Sequence, residues 1–379
     1  MLVYTYLIIY NNTMQTLKNK IKINISKYPY ERLAPLEEQL YFDIETTGLS
    51  AKSSVVYLIG CAYFRDDEFH SVQFLAESYT EEEMVLYSFF NFAKYFKTLV
   101  HYNGNLFDIP YIQTKSSLYD MPFSLDGFKG IDIYRRILPY KNFLNLANLK
   151  QTDVEDFLRF KRDDTYTGGQ LISVYHDYIK NPTEFKKELL LQHNYDDLRG
   201  MLNIVPVLSF TDIFNDGVKV SKVSKNPYRA SDGTLMAELV MNLELPSPIP
   251  IEFSTGFLDC YFTGFEKNAK LRVTLLEGEL KYFYPNYKEY YYLPEEDCAM
   301  HKSVAAFVDK SKRQQAKASN CYTRKVSSFL PQFEPLFKPE FKVAYHDKTS
   351  YFELSNELKS DPEKFSEYAM HLLTAMATT

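Results

Sequence analysis

The sequence predicts an α/β domain followed by an α+β unit, and three observations carry that prediction. Three runs of β-type residues follow one another at 39–45, 55–64 and 69–76. Helical and strand-like stretches then alternate to about residue 212. Beyond 213 the texture changes to long β-rich runs separated by turns, closing on a helical stretch. The predicted organisation is an N-terminal extension over 1–37, an α/β domain over 38–212 and a C-terminal α+β unit over 213–379.

The elements follow in order. QLYFDIE (39–45) alternates apolar and polar residues, the period-2 signature of a strand. VVYLIGCAYF (55–64) and FHSVQFLA (69–76) flank RDDE, a hairpin turn, so the domain opens on three antiparallel strands. Thr80 is the predicted cap of a helix whose first turn, Glu81-Glu82-Glu83, suits the positive end of a helix dipole, and that helix is predicted to run to about Phe96. TLVHYN (98–103) reads as a buried strand, FDIPYIQTKSSL as the start of a helix, and KGIDIY (129–134) as a fifth strand. A helical stretch is predicted over 143–160, interrupted by KRDDTYTGG before LISVYHDYI. Asn181-Pro182-Thr183-Glu184 reads as a helix start, with Asn181 as cap and Pro182 at the first helical position, for a long helix ending near Pro206. In the C-terminal unit, SPIPIEFSTGFLDCYF, AKLRVTLLEG and ELKYFYPNYKEYYYL read as strands, HKSVAAFVDKSKRQQAKAS as a helix, and FELSNELKSDPEKFSEYAMHLLTAM as helix to the end.

A formal charge of −6 argues against a protein coated in positive field, although clustered carboxylates that hold cations would contribute to such a charge. The cysteines Cys61, Cys260, Cys298 and Cys321 are widely spaced with no C-x-x-C, which weighs against a zinc ribbon or a disulfide framework and suits a reduced cytoplasm. The apolar opening MLVYTYLIIY is too short to span a bilayer and lacks a basic region and a cleavage site. Residues 1–13 read as an upstream start ahead of Met14 or a frayed terminus, and the expected location is cytoplasmic. The chain has 32 Tyr and 29 Phe but no Trp; the run YFYPNYKEYYYL (282–293) offers stacking faces for single-stranded bases, although such a run is more often a pair of strands in a hairpin.

Four acidic positions stand out by where they sit. Asp43 and Glu45 lie two apart on the first predicted strand, so both point to one face, and two like charges there repel unless a cation lies between them. Asp108 follows the strand TLVHYN and a Gly104 turn, where it opens a helix; alone it reads equally as a cap. Asp197 lies on the long helix four residues after His193, which puts the two on one helical face. His176 reads as structural.

In this order, YFDIETTGL (41–49), NGNLFD (103–108) and HNYDD (193–197) resemble the DEDD family of 3′–5′ exonucleases within the ribonuclease H-like superfamily. That family has D-x-E on its first strand, then N-x-x-x-F-D, then a helix carrying the last Asp. Within the superfamily the chain resembles the YprB-like proteins of bacteria, in the Asn after the His and in the Gly-Gly segment RDDTYTGGQLI (162–172). The resemblance spans roughly residues 38–210. One departure concerns the base: the tyrosine branch places Tyr four residues before the last Asp and the histidine branch places His five before, whereas His193 stands at the tyrosine spacing.

The resemblance implies a ribonuclease H-like mixed sheet, three antiparallel strands then parallel ones, flanked by helices. It implies two Mg²⁺ or Mn²⁺ ions held by Asp43, Glu45, Asp108 and Asp197, with Asp43 bridging both, and His193 as general base. Thr46, Thr47 and Leu49 would meet the terminal nucleotide, Asn103 would join them, and Leu49 or Phe107 would wedge against a base. The expected partner is single-stranded DNA or RNA, with no membrane. For the nucleic-acid backbone, the basic stretch 302–325 sets seven Lys and Arg residues, Lys312 and Arg313 among them, against Asp309 alone; the same stretch reads equally as a solvated helix face. The competing readings are a nuclease for structured RNA or RNA–DNA hybrids, a catalytically idle module that binds nucleic acid or a partner, and a protein whose role resides in its C-terminal unit.

Overall fold

The computed structural model describes residues 15–163 and 166–378. Its contacts divide the chain into two compact units, residues 1–141 with 146–211, and residues 142–145 with 212–379.

The first unit is built on a six-stranded mixed sheet. Its strands are β1 (Gln15–Ile21), β2 (Gln39–Thr46), β3 (Val56–Arg65), β4 (Glu68–Leu75), β5 (Thr98–His101) and β6 (Lys129–Asp132), in the spatial order β1-β4-β3-β2-β5-β6. Neighbours from β1 to β2 pair antiparallel, and β2–β5 and β5–β6 pair parallel, which is the mixed ribonuclease H-like arrangement. The β3–β4 hairpin closes on Asp66 and Asp67, both at positive φ (51° and 61°), the backbone that a two-residue turn between twisted strands requires. Around the sheet run α1 (Glu82–Ala93), α2 (Asp108–Leu118), α3 (Ile133–Ile137), α4 (Gln151–Phe157), α5 (Gly168–Lys180) and α6 (Glu184–Ile204). Leu40, Phe42, Ile44, Leu58 and Ile59 of the central strands form one core with Val85, Leu86 and Phe89 of α1 and Leu190 of α6. Helices cover both faces, so β2 is buried along nearly its whole length despite its alternating polarity.

Several local expectations are corrected. The sheet opens on four antiparallel strands, because β1 pairs along the free edge of β4. Lys18, Asn19 and Lys20 are exposed there, the charged edge that discourages further strand pairing and that hides the β-period from a sequence reading. Thr80 is not the cap of α1; it lies in a 3₁₀ turn, and Glu82, expected only to complement the dipole, is buried with Lys115 at 2.9 Å, the Val56 amide at 2.6 Å and the Tyr119 hydroxyl at 2.7 Å. Thr183, not Asn181, caps α6, its side chain accepting from the Lys186 amide, while Asn181 terminates α5. Within 143–160 only 151–157 is helical, since Asn145 turns left-handed (φ 55°) and Phe143 packs in the second unit against Phe253 and Phe262. Residues 1–13, and Asp164 and Thr165 of the Gly-Gly segment, lie outside the described residues.

The unit boundary falls inside α7 (Leu208–Asp216). The second unit carries β7 (Lys219–Arg229), β8 (Leu235–Phe257), β9 (Cys260–Phe283), β10 (Tyr290–Leu293), β11 (Cys298–His301), α8 (Lys302–Ala305), β12 (Gln314–Gln315), β13 (Tyr322–Gln332), β14 (Ser350–Glu353), α9 (Asn356–Lys359) and α10 (Pro362–Thr378). Five strands form the antiparallel sheet β14-β13-β9-β8-β7, and β11-β10-β12 form a small one. SPIPIEFSTGFLDCYF, expected as one strand, is the end of β8 and the start of β9, turning at Leu258 (φ 49°). Pairing skips between Glu244 and Ile249 because Pro246 and Pro248 have no amide to donate. The helix expected over 301–319 shrinks to α8: Val304 and Phe307 are exposed and have no face to bury, Asp309 bonds the Ser311 amide, and Gln314–Gln315 pair with β10. α10 is amphipathic as expected, burying Phe365, Tyr368, Ala369, Leu372 and Leu373. Among the described residues no helix is long and apolar enough to cross a membrane.

Candidate metal centre

β2 delivers the first two acids. Asp43 lies across from Gly60 of β3 and Glu45 across from Leu58, and the register slips directly after Glu45, a bulge that ends regular pairing where the acids leave the sheet. β5 runs parallel to β2, so the loop after β5 emerges on the same side. That loop is pinned by Asp132, whose carboxylate accepts from the amides of Asn103 (2.9 Å), Asn105 (3.3 Å) and Arg135 (3.2 Å). The loop hands the chain to Asp108, the first residue of α2, which accepts from the Ile44 amide at 3.3 Å. α6 supplies His193 and Asp197 from successive turns.

These side chains meet. His193 Nε2 lies 3.3 Å from Asp197 Oδ2 and 3.7 Å from Glu45 Oε1. Among the described residues Glu45, His193 and Asp197 form a group whose ligand atoms all fall within 4.8 Å of one another, a set that can hold a metal ion. Burial pushes Asp43 well above the usual carboxylate range, and the charges of Asp197, Asp108 and Glu45 push it further. Burial likewise raises Glu45 to about 8, with His193 opposing and Asp197 and Asp108 adding to the rise. Asp108 is raised to about 7, chiefly by burial, against the pull of its own and the Ile44 amides. Burial is the main cause of each shift, and repulsion from neighbouring carboxylates adds to it. The donor set of carboxylate oxygens with one imidazole fits a hard divalent cation and not a thiolate-loving one.

Residues 40–209 match the family described as the RNase_H superfamily. Their fold is ribonuclease H-like. The chain is 26% identical over 206 residues to YprB of Bacillus subtilis (strain 168), an uncharacterized protein, in an alignment covering 53% of this chain and 47% of YprB. The chain thus spans about half the length of that curated relative. A solved family B DNA polymerase from the hyperthermophilic archaeon Pyrobaculum calidifontis aligns over 46% of this chain and 25% of its own, with a TM-score of 0.39 and 20% identity.

The other sequence-selected residues lie at the end of β2 and on the loop after it, on the loop from β5 to the start of α2, on α5 and in the second unit. Thr46 bonds the Gly48 carbonyl through its hydroxyl (2.9 Å), and the Thr47 hydroxyl accepts from the Val55 amide (2.9 Å), so the loop after β2 is held by its own threonines. Leu49 stands 88% exposed at its tip. Phe107 is half-buried against Tyr111, and Asn103 holds a left-handed backbone (φ 59°) with its side-chain oxygen unpaired among the described residues. Lys312 and Arg313 belong to the second unit, where Lys312 pairs with Glu295 (3.1 Å) and Arg313 lies over the Tyr291 ring. Of the other basic residues there, Arg324 engages Asp297 and Glu279 and Lys325 engages Glu353. His176 bonds Tyr79 (2.6 Å).

Sequence reasoning missed the residues behind the acids. Gln73 of β4 donates to Asn194 Oδ1 (3.0 Å), and Asn194 Nδ2 donates to Asp43 Oδ2 (3.1 Å), a relay of two buried amides that fixes one oxygen of the half-buried Asp43. A Cβ on Gly60 would stand 1.9 Å from Asn194 Oδ1, so only glycine leaves room for the relay. The Tyr57 hydroxyl approaches Glu45 closely enough to lower its carboxyl, while finding no hydrogen bond of good geometry among the described residues. Asp43 was legible from its strand, but its neighbours are brought in by β4 and α6, more than a hundred residues apart in Gln73 and Asn194.

Proposed function

We propose that the ribonuclease H-like domain is a metal-dependent 3′–5′ exonuclease acting on single-stranded DNA or RNA. The observation that carries this reading is the meeting of Glu45, His193 and Asp197, with Asp43, Glu45 and Asp108 all raised by burial and by the charges of neighbouring carboxylates. Glu45 and Asp108 are buried and Asp43 and Asp197 half-buried; neighbouring acids placed so serve no packing purpose, and divalent cations would remove the conflict.

Asp43, Glu45, Asp108 and Asp197 would hold two Mg²⁺ or Mn²⁺ ions, whose charge lowers the pKa of bound water and neutralises charge growing on the phosphate. Asp43, tied at one oxygen by Asn194, offers its other oxygen. His193, beside Glu45 and Asp197, takes the proton of the attacking water; the water oxygen bonds to phosphorus as the bond to the departing 3′ oxygen breaks. Leu49, exposed, and Phe107 would wedge against the terminal base, and Thr46, Thr47 and Asn103 would line its sugar and phosphate; Lys312 and Arg313 of the second unit would supply positive charge for a nucleic-acid backbone.

End-labelled DNA and RNA oligonucleotides incubated with Mn²⁺ test the proposal, wild type beside Asp43→Ala, with free and blocked 3′ ends. A mononucleotide ladder that disappears in the variant and with the blocked 3′ end supports it. Internal cuts would point to structured RNA or hybrids instead. Binding without cleavage by wild type would identify an idle module, and cleavage that survives the substitution would mean the acids are not the site.

A further inference from the structure

Behind Asp197 lies a second polar assembly that the metal-holding residues do not include. Glu155 of α4 is a carboxylate with only 1% of its surface exposed. Arg162 grips it with two donors: Nη2 reaches Glu155 Oε1 at 2.7 Å while Nε bonds Oε2. The remaining arm of the guanidinium, Nη1, donates to Asp197 Oδ1 at 2.6 Å. Gln151 closes the assembly, donating to Glu155 Oε1 (2.9 Å) and to the Asp197 carbonyl (2.9 Å). The space is cut for Glu155: a Cβ on Gly200 would lie 2.0 Å from Glu155 Oε1.

Two roles are open to a cation placed there. It could neutralise the acidic site and compete with a metal, or it could aim Asp197. The charge count decides against neutralisation. Glu155 is buried and cancels Arg162, so the pair brings no net charge to the site. A guanidinium is charged at any working pH, and its two bonds to Glu155 hold it in place. A planar fork locked on a buried carboxylate has its third arm fixed in direction. Asp197 Oδ1 is therefore engaged, and Oδ2 lies toward His193 Nε2 at 3.3 Å.

We propose that Arg162, seated on Glu155, is a positioning residue that engages Asp197 Oδ1 and presents Oδ2 to the metal-holding group with Glu45 and His193. The proposal rests on the reading of this group as a divalent-metal site and deepens it. Partners of this kind, which orient a ligand without touching the metal, typically change affinity by roughly 10- to 100-fold.

The test is Mn²⁺ titration of the full chain followed by electron paramagnetic resonance, with circular dichroism as the check on folding. Arg162→Gln alone would strand the buried Glu155, so the neutral pair Glu155→Gln with Arg162→Gln is measured, beside Arg162→Lys, which keeps Glu155 paired but cannot span both carboxylates. Both variants are expected to bind Mn²⁺ roughly 10- to 100-fold more weakly than wild type, with an altered Mn²⁺ spectrum. Wild-type or tighter affinity in whichever of them is folded overturns the proposal and makes Arg162 a bystander or a competitor. Failure of wild type itself to take up Mn²⁺ would overturn the metal-site reading and this proposal together, whereas uptake by wild type with unchanged variants overturns this proposal alone.

Discussion

Gly60→Ala probes the core of the argument without touching an acid. The added methyl would sit 1.9 Å from Asn194 Oδ1, 2.7 Å from its Cγ and 2.9 Å from Leu198 Cδ1. Asn194 would have to retreat by more than an ångström to reach ordinary contact. It cannot swing into solvent, because it is fully buried between Gln73 and Asp43. Forcing a methyl into a packed core costs about 1–3 kcal/mol, and losing a hydrogen bond to an ionisable partner costs about 1.5–3 kcal/mol; the two overlap, so a total of about 2–3 kcal/mol is expected. At roughly 2–4 °C per kcal/mol for a domain of this size, the first unit should melt roughly 4–12 °C lower by calorimetry. Nuclease activity should fall roughly 10- to 100-fold, as when an orienting partner of a metal ligand is lost. In Gly60→Ala with Asn194→Ala the clash with Asn194 is removed and only the 2.9 Å approach to Leu198 Cδ1 remains, so the melting temperature should recover in part while activity stays low. A Gly60→Ala protein with wild-type melting and wild-type activity would refute the claim that Asn194 orients Asp43.

The remaining predictions are compact. Glu45 and Asp108 titrate at about 8 and about 7 in the fold, above their unfolded values of 4.5 and 3.8, so the metal-free protein is most favoured at low pH and loses that contribution as pH rises from about 4 to about 8. Thermal melts across that range should show the loss, Mn²⁺ should restore it most strongly at the alkaline end, and an unchanged profile in Glu45→Gln would contradict the assignment. Lys115→Met strands the buried Glu82 and should destabilise the first unit by about 3–5 kcal/mol in urea melts, with Glu82→Gln added in the same chain recovering part of it. Lys312→Glu with Arg313→Glu should weaken oligonucleotide binding and flatten its salt dependence while leaving Mn²⁺ affinity intact; equal binding at every salt concentration would remove the basic stretch from the interface.

What the sequence revealed follows the range of the physics involved. Strand and helix periods are local, so the elements of the first unit appear in QLYFDIE, VVYLIGCAYF and the long α6, and the D-x-E, N-x-x-x-F-D and final-Asp motifs mark the acids. β1 escaped because an edge strand with Lys18, Asn19 and Lys20 turned to water has little apolar signal. The helix expected in the basic stretch failed because helical composition there has no apolar face to bury, as exposed Phe307 shows. Gln73 and Glu155 gave no signal, and Asn194 and Arg162 appeared only inside motifs with no role attached, for a different reason. Each is an ordinary polar residue in its own segment and gains meaning only from a partner brought close by folding.

The topology explains why the acids meet where they do. β2 and β5 are parallel, so both chains leave the sheet at the same edge, and that edge receives Asp43, Glu45 and the loop to Asp108. Crevices outside the carboxyl ends of parallel strands are where such sheets generally place their chemistry. The antiparallel half contributes differently: β3 supplies the bare backbone of Gly60 and β4 supplies Gln73, and together they let Asn194 of α6 lie against the sheet. α6 is therefore fixed from both sides, by Asn194 on the sheet and by Gln151 of α4 donating to the backbone of Asp197. A helix held in that way cannot slide to relieve the repulsion among the four carboxylates. The strain can be relieved only by protons or by cations, and near neutral pH the raised carboxyls of Glu45 and Asp108 leave room for both, which is why proton release should accompany metal uptake.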